Sequence, residues 1–255
     1  MKVFFSAIWS AKWYLLIGLF SYSVFLGLTA PLEFLWPKVQ PYLGRLPVQV
    51  ELVTGTLWQG QTRVKIPQVG KVTGQWDIQI SDLFAGQLAV KVDLVGDELK
   101  FNGIVRGTTE EIKVSGIEAF MSSRYLAPLL RQGKSSLSGD FELNDFNGIF
   151  SLNDKKILTA DGRILFTGGD VSFPIDGKTI SSKLPILIGD IKKPNENVEV
   201  AITNIDGQAI GDGYIQPDGW SGISIRRRFL DILGQKWPAD VDEEAVIFEV
   251  SQKLL

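Results

Sequence analysis

The sequence predicts an all-β fold: a large antiparallel, strongly twisted or curved β-sheet with one or two short helices, preceded by a single N-terminal transmembrane helix. Two patterns predict it. An uncharged run of about twenty residues stands near the N terminus, and apolar and polar residues alternate with period two from residue 48 onward. We expect residues 1–12 to form a tail, 13–32 the helix, 33–47 a linker and 48–255 the β-rich domain.

The apolar segment has the length of a transmembrane helix. A helix of about twenty residues rises about 30 Å, the thickness of the hydrocarbon core of a bilayer. Lys2 and Lys12 precede it without a nearby acidic residue, so the positive-inside tendency places residues 1–12 in the cytoplasm and the domain on the other side. A cleaved signal peptide is the alternative, but Leu28 and Pro31 suit a cleavage site poorly, so a retained anchor is favoured.

Three prolines lie at and after the end of this segment. Pro31, Pro37 and Pro41 lack the backbone N–H that a helix interior needs. We therefore expect the continuous helix to end at residues 30–35, and residues 33–47 to form a membrane-proximal linker with room for one amphipathic turn.

Alternation marks the strands of the domain. Residues 71–80, 87–94, 137–143 and 198–202 carry apolar residues or glycine at every second position, as strands with one buried and one solvated face do. At a usual strand length of about five to six residues, there is room for about twelve to sixteen antiparallel strands. A weak duplication, with a second half starting at Ser135, fits the pattern, and the sheet can be an open groove or a closed core.

Two segments of the domain have a helical pattern. Ile117–Arg131 (IEAFMSSRYLAPLLR) is interrupted by Pro128, and Arg228–Gly234 (RFLDILG) ends in a glycine that suits a C-cap.

Five Asp-Gly pairs predict hairpin turns, because these residues favour tight connections between strands. The pairs start at Asp161, Asp176, Asp206, Asp212 and Asp218. A calcium loop is the alternative for the last three. The alternate acidic residues and the closing glutamate of an EF-hand are missing, so turns are favoured.

Composition argues against several functional classes. The chain has no cysteine and no histidine, which removes disulfides, thiolate metal sites and histidine-dependent catalysis. Its 26 basic and 29 acidic residues give no basic excess for nucleic acid. Glu110-Glu111 and Glu243-Glu244 are visible carboxylate pairs, but neighbours in a strand point to opposite faces. We therefore expect no enzyme activity, no cofactor, no metal and no nucleic-acid partner.

A basic cluster, Arg226, Arg227 and Arg228, follows an alternating run in the sequence. Read as a site, it would contact anionic lipid or an acidic partner. Read as plain structure, it ends a strand and forms one ion pair with Asp231. The cluster is smaller than a usual polybasic patch, so the structural interpretation is favoured and the contact is kept as the alternative.

The stretch Gly55–Gly60 (GTLWQG) follows a strand-like run at residues 48–53. Two glycines so close together suit a turn or bulge early in a sheet, where special backbone angles are needed. We expect Trp58 to turn inward and cap the core at the membrane-proximal end, because a large aromatic side chain gains most from burial.

With this motif the chain resembles the type II secretion system protein N family, in which a G-T/S-L-W-x-G element follows the first strand. Gly55, Thr56, Leu57, Trp58 and Gly60 match that element. The resemblance implies a non-catalytic accessory component of the bacterial inner membrane with a periplasmic domain. Its partners would be other inner-membrane secretion subunits, and it would support export of folded proteins across the outer membrane.

A second resemblance, at low resolution, is to anchored periplasmic proteins of the AsmA and lipopolysaccharide-bridge type. Those proteins also have an N-terminal anchor followed by many short strands, which form a curved sheet that holds acyl chains. This resemblance implies a lipid-binding or lipid-transfer module with a lipid ligand, and it is the alternative function.

Overall fold

The computed structural model describes residues 2–43, 49–67, 70–175, 178–235 and 241–253. The helices are α1 (Lys2–Thr29), α2 (Leu32–Leu43), α3 (Ile80–Leu83), α4 (Ser123–Gln132) and α5 (Arg227–Ile232). The strands are β1 (Gln49–Gly55), β2 (Gln59–Ile66), β3 (Gly70–Gln79), β4 (Leu88–Gly96), β5 (Leu99–Gly107), β6 (Glu111–Ser122), β7 (Ser136–Leu137), β8 (Asp140–Ser151), β9 (Lys156–Phe166), β10 (Gly169–Ile175), β11 (Lys178–Leu184), β12 (Leu187–Lys192), β13 (Val198–Asn204), β14 (Ala209–Ile215), β15 (Trp220–Arg226) and β16 (Val246–Lys253). The strand count lies at the upper end of the predicted range.

Helix α1 carries the apolar segment that the sequence predicts as an anchor. Residues 12–29 are long and apolar enough to cross a membrane, although a signal sequence has the same properties. The hydroxyls of Ser23 and Thr29 donate to the carbonyls of Leu19 and Phe25 at 2.8 and 2.7 Å. These polar side chains are therefore satisfied within the helix, as an apolar environment requires.

The exit from the apolar segment is more helical than the sequence predicts. Helix α1 ends at Thr29 and α2 then runs from Leu32 to Leu43, where we expected a linker with at most one turn. Pro31 lies between the two helices, where its missing N–H leaves the Gly27 carbonyl without its usual donor. Pro37 lies inside α2, and residues 44–48 lie outside the described part of the chain.

Thirteen strands form one antiparallel sheet in the order β1-β2-β3-β4-β5-β6-β8-β9-β12-β13-β14-β15-β16. A separate three-stranded sheet has the order β11-β10-β7. Within the described residues the two edge strands of the large sheet, β1 and β16, do not pair with each other. The sheet is therefore open, and it is neither closed nor strongly curled, so the strong twist predicted from the sequence is not confirmed.

The large sheet has an apolar face and a polar face, as the alternation predicts. In β3 and β4, Trp76 lies opposite Val92, whereas Asp77 lies opposite Lys91. Residues directly opposite each other in an antiparallel pair share a face. We call the face that holds Trp76 the apolar face and the face that holds Asp77 the polar face.

The small sheet and α5 cover one part of the apolar face. Phe166 from β9, Leu184 from β11 and Leu233, just after α5, form a buried cluster. A second buried cluster lies within the large sheet and is formed by Ala160, Ile191 and Val198. The cover is partial, since apolar side chains of β15 and β16 remain exposed.

The first predicted helix is half strand, so that prediction is wrong for its N-terminal part. Strand β6 continues to Ser122 and pairs with β5 on one side and β8 on the other. Helix α4 begins at Ser123, after the Ser122 hydroxyl accepts a hydrogen bond from the N–H of Arg124 at 3.4 Å. Pairing with two neighbouring strands outweighs the local helical pattern here.

The second predicted helix is confirmed as α5. It runs from Arg227 to Ile232, and Gly234 behind it has a φ of 68°. This is the left-handed conformation in which glycine ends helices without a steric penalty.

The Asp-Gly pairs divide into turns and strand interiors. Gly207 and Gly219 connect β13 to β14 and β14 to β15, with φ angles of 76° and 85°. The pairs at Asp161 and Asp212 lie inside β9 and β14, so the turn prediction is wrong for them. Gly162 instead makes room for a neighbour, since a Cβ there would lie 2.9 Å from the Cα of Phe146. The pair at residues 176–177 lies outside the described residues.

Candidate functional site

The GTLWQG stretch is the connection between β1 and β2, the first hairpin of the sheet. Gly55 and Gly60 lie opposite each other as the last pair of the two strands. The backbone N–H of Thr56 donates to the carbonyl of Gln59 at 2.8 Å. The Thr56 hydroxyl accepts from the N–H groups of Trp58 and Gln59 at 3.3 and 3.2 Å. A threonine at this place therefore closes the turn, as Ser and Thr side chains do in tight turns.

The two glycines of the motif are required by space as well as by backbone angle. Gly55 has a φ of 100°, and a Cβ on it would lie 2.5 Å from the carbonyl oxygen of Gln59. A Cβ on Gly60 would run into the indole ring of Trp76 and lie 2.7 Å from the Thr54 carbonyl oxygen. Each position therefore accepts only glycine, because backbone atoms or an indole ring lie where a side chain would begin.

Strand β3, the neighbour of β2 in the sheet, also donates hydrogen bonds to the turn. The Trp76 indole N–H donates to the carbonyl of Leu57 at 3.1 Å, and the N–H of Ile78 donates to the carbonyl of Trp58 at 2.6 Å. The backbone of the turn is therefore fixed by hydrogen bonds to β3 as well as by its own.

The side chain of Trp58 joins this turn to the apolar helix. Its indole N–H donates to the carbonyl of Gly27 in α1 at 2.9 Å. That carbonyl would normally accept from the N–H four residues later, but residue 31 is a proline and has none. Trp58 supplies the donor that Pro31 removes, whereas Ala30 donates in the usual way to the Leu26 carbonyl.

The same junction is supported by the backbone and by packing. Pro31 forms an isolated antiparallel bridge with Thr56. Leu32, the first residue of α2, is buried to 9% exposure. We call the contacts between residues 27–32 and the turn at residues 56–59 the anchor junction. It ties the first hairpin of the sheet to the end of the apolar segment.

The expectation for Trp58 is corrected in one respect. The residue lies at the end of the sheet that contacts α1. However, it is half-buried, belongs to neither buried cluster, and directs its indole N–H to α1. The signal that the sequence offered was Pro31 four positions after Gly27. That signal reveals the free carbonyl but not its donor.

Changing Trp58 to phenylalanine should loosen the anchor junction while leaving the sheet folded. The change removes one indole donor and retains an aromatic ring, so we expect a loss of about 1 kcal/mol for that hydrogen bond. Hydrogen exchange of the Thr56 and Gln59 amides should accelerate about fivefold. Trp220→Phe is the matched control, because Trp220 is 41% exposed. Equal exchange in the two variants would show that the Gly27 contact contributes nothing.

A polar cleft lies beside the motif on the polar face, with a volume of about 430 Å³. Its side chains come from β2, β3 and β4 and include Gln61, Gln75, Asp77, Lys91 and Asp93. The charged side chains of this cleft are two carboxylates, Asp77 and Asp93, and one lysine, Lys91. Within the described residues, no group of three or more acidic side chains is placed to hold a metal ion.

An apolar cleft of about 230 Å³ lies where the small sheet meets the large one. Its walls are apolar side chains such as Leu137, Phe141, Ile164 and Leu187. This volume is below the roughly 300–1,000 Å³ that is usual for small-molecule sites.

The three arginines where β15 passes into α5 have partners within the chain. Arg226 contacts the Asp212 carboxylate at 2.7 Å and the Glu244 carbonyl at 3.1 Å. Arg227 forms the expected ion pair with Asp231, at 3.6 Å. It also donates to the carbonyl of Val241.

Arg228 is the most enclosed of the three, with a side chain 13% exposed. It contacts the carboxylates of Glu243 and Glu244 at 3.2 and 3.8 Å and donates to the Ala209 carbonyl at 3.2 Å. The pair Glu243-Glu244 therefore holds the segment before β16 against α5. These contacts could not be predicted from the sequence, because the partners are fifteen or more residues apart.

One comparison with known proteins finds a relative. A family model described as type II secretion system (T2SS), protein N, matches residues 47–225, and no curated protein or solved structure matches the chain. The matched region is more than half of the sequence. It includes the whole GTLWQG turn and ends in β15, ahead of the three arginines and β16. The chain belongs to the type II secretion system protein N family.

Proposed function

We propose that this chain is a non-catalytic accessory component of the type II secretion system in the inner membrane, where it supports export of folded proteins across the outer membrane. The family match over residues 47–225 carries the proposal, since it spans the large sheet from β1 into β15. Other inner-membrane subunits of the system are the partners that this membership favours.

The proposed placement has the residues 13–32 segment in the bilayer, residues 1–12 in the cytoplasm and the sheet in the periplasm. Lys2 and Lys12 support the orientation through the positive-inside tendency. The hydrogen bond from Trp58 to Gly27 supports a sheet held close to the membrane surface, because its acceptor is two residues before the end of α1.

The non-catalytic role is supported by chemistry as well as by membership. The full sequence has no histidine and no cysteine. The adjacent carboxylates of Glu243 and Glu244 contact Arg228. A protein of this kind would act by holding partners in position, and open sheet edges are surfaces to which other chains can bind.

Deleting the gene should strongly reduce the extracellular activity of enzymes exported by this system, and the full chain should restore it. A variant in which residues 1–32 are replaced by a cleavable signal peptide should reach the periplasm but restore export poorly. Normal export in the deletion strain, together with no secretion subunit co-purifying with the chain, would contradict the function. Full rescue by the unanchored variant would contradict only the need for an anchor.

The lipid-binding alternative is not the function that we propose. No comparison supports a relation to lipid-carrying proteins, and the apolar cleft is small. Mass spectrometry of lipids extracted from the purified chain, compared with an anchor-only control, tests this alternative directly.

A further inference from the structure

Strand β16 leaves one edge of the large sheet open. Its inner side pairs with β15, and no described strand pairs with its outer side. The other edge, β1, lies at the anchor junction, so the two edges differ in what surrounds them. An unpaired strand edge presents a row of free N–H and C=O groups to any strand that can align with it.

Exposed apolar side chains adjoin this free edge. Phe248 and Val250 of β16 are 55% and 45% exposed, and Ile223, which lies opposite Val250 in β15, is 43% exposed. All three lie on the apolar face, since Ile223 is in register with Val250 and Ile225 with Phe248. An apolar patch beside an open edge marks a surface suited to contact with another chain.

The charges of β16 are arranged to suit a second copy of the same strand. Glu249, Ser251 and Lys253 occupy the polar face at successive alternate positions. If two β16 strands pair antiparallel about Ser251, each Glu249 lies opposite a Lys253 of the other copy. The two opposite-charge pairs are then generated together by one two-fold axis, as a symmetric interface requires.

Two neighbouring registers are less favourable. Pairing about Glu249 places two carboxylates opposite each other, which is destabilising. A pairing centred on Phe248 would include Val246, next to which the register between β15 and β16 is irregular. Charges on an edge strand commonly prevent pairing, but residues of opposite sign four positions apart face each other when two copies pair about the residue midway between them.

We propose that β16 is a homodimerisation edge, at which two copies of this chain join their large sheets in antiparallel register centred on Ser251. The exposed patches of both copies then lie side by side on one continuous apolar face. The two anchor junctions, each beside β1, lie at the far ends of the joined sheet. This inference does not rest on the proposed role in secretion, because it uses only the geometry and charges of β15 and β16.

Cysteine cross-linking in the full chain tests the register. The sequence has no cysteine, so Ser251→Cys introduces the only thiol. Opposite residues in antiparallel strands have Cα atoms about 4.5–5.5 Å apart, which a disulfide can span. We expect this variant, in detergent or in liposomes with mild oxidant, to form a covalent dimer at least tenfold faster than Ser138→Cys, which places a thiol on another exposed site.

Mixing Glu249→Cys with Lys253→Cys protein should give a hetero-dimer that neither variant forms alone. Glu249→Lys and Lys253→Glu should each shift the sedimentation equilibrium toward monomer, and the double exchange should restore it. These side chains are exposed, so folding is retained. Cross-linking of Ser251→Cys no faster than the control, or a double exchange that stays monomeric, would overturn the proposal.

Discussion

Replacing Gly55 by alanine is expected to destabilise the sheet domain by roughly 2–6 kcal/mol. Two costs add at this position. The residue has a φ of 100°, which strains any residue with a side chain by about 1–3 kcal/mol. The new methyl group would also lie 2.5 Å from the Gln59 carbonyl oxygen, and crowding of this kind costs about 1–3 kcal/mol. The obstacle is backbone, so it cannot rotate away.

Thermal or denaturant unfolding of the full chain, followed by tryptophan fluorescence, measures this loss. Gly70→Ala is the matched control: Gly70 has a similar φ of 92°, but a Cβ there meets nothing within 4 Å. The control isolates the strain of the backbone from the collision. Equal losses in the two variants would show that the GTLWQG turn is not closely packed.

Replacing Arg228 by methionine is expected to cost about 2–3 kcal/mol and to release the segment before β16. The side chain is 13% exposed and serves two carboxylates and the Ala209 carbonyl. Hydrogen bonds to charged groups are worth about 1.5–3 kcal/mol. The loss is limited because Glu243 and Glu244 are more than half exposed and regain water.

Limited proteolysis measures the release of the segment before β16, and denaturant unfolding measures the loss in the free energy of unfolding. Cleavage within residues 241–245 should become faster in Arg228→Met. Arg163→Met is the control, because the ion pair of Arg163 with Asp190 at 2.8 Å is 61% and 39% exposed, and exposed pairs contribute about 0–1 kcal/mol. If both variants lose the same free energy of unfolding, the enclosed contacts of Arg228 contribute no more than an exposed ion pair.

The sheet could be predicted because its signal is local. Alternation at residues 71–80 fixes which side chains share a face, and Trp76 and Val92 indeed meet on the apolar face. Helix α5 was predictable for the same reason, since its glycine stop lies within a few residues. The residues 117–122 segment was misassigned because its strand conformation depends on pairing with β5 and β8.

The site was predictable only as a motif. The sequence identifies Gly55 and Gly60 as backbone-critical, and the structure supplies the reason through Gln59 and Trp76. The sequence does not reveal that Trp58 donates to the Gly27 carbonyl near the end of α1, because the two residues are 31 positions apart. The contacts of Arg228 with Glu243 were missed for the same cause.

The sequence by itself determined the apolar segment, the two-faced character of the sheet, the absence of histidine and cysteine chemistry, and the motif of the family. Each follows from composition or from spacing within one element. Only the tertiary structure decided that Trp58 supplies the hydrogen bond that Pro31 removes from Gly27 and that, among the described strands, the sheet stays open with β16 as a free edge. These outcomes depend on which distant segments meet, and a hydrogen bond or ion pair forms only where the fold brings donor and acceptor within about 3 Å.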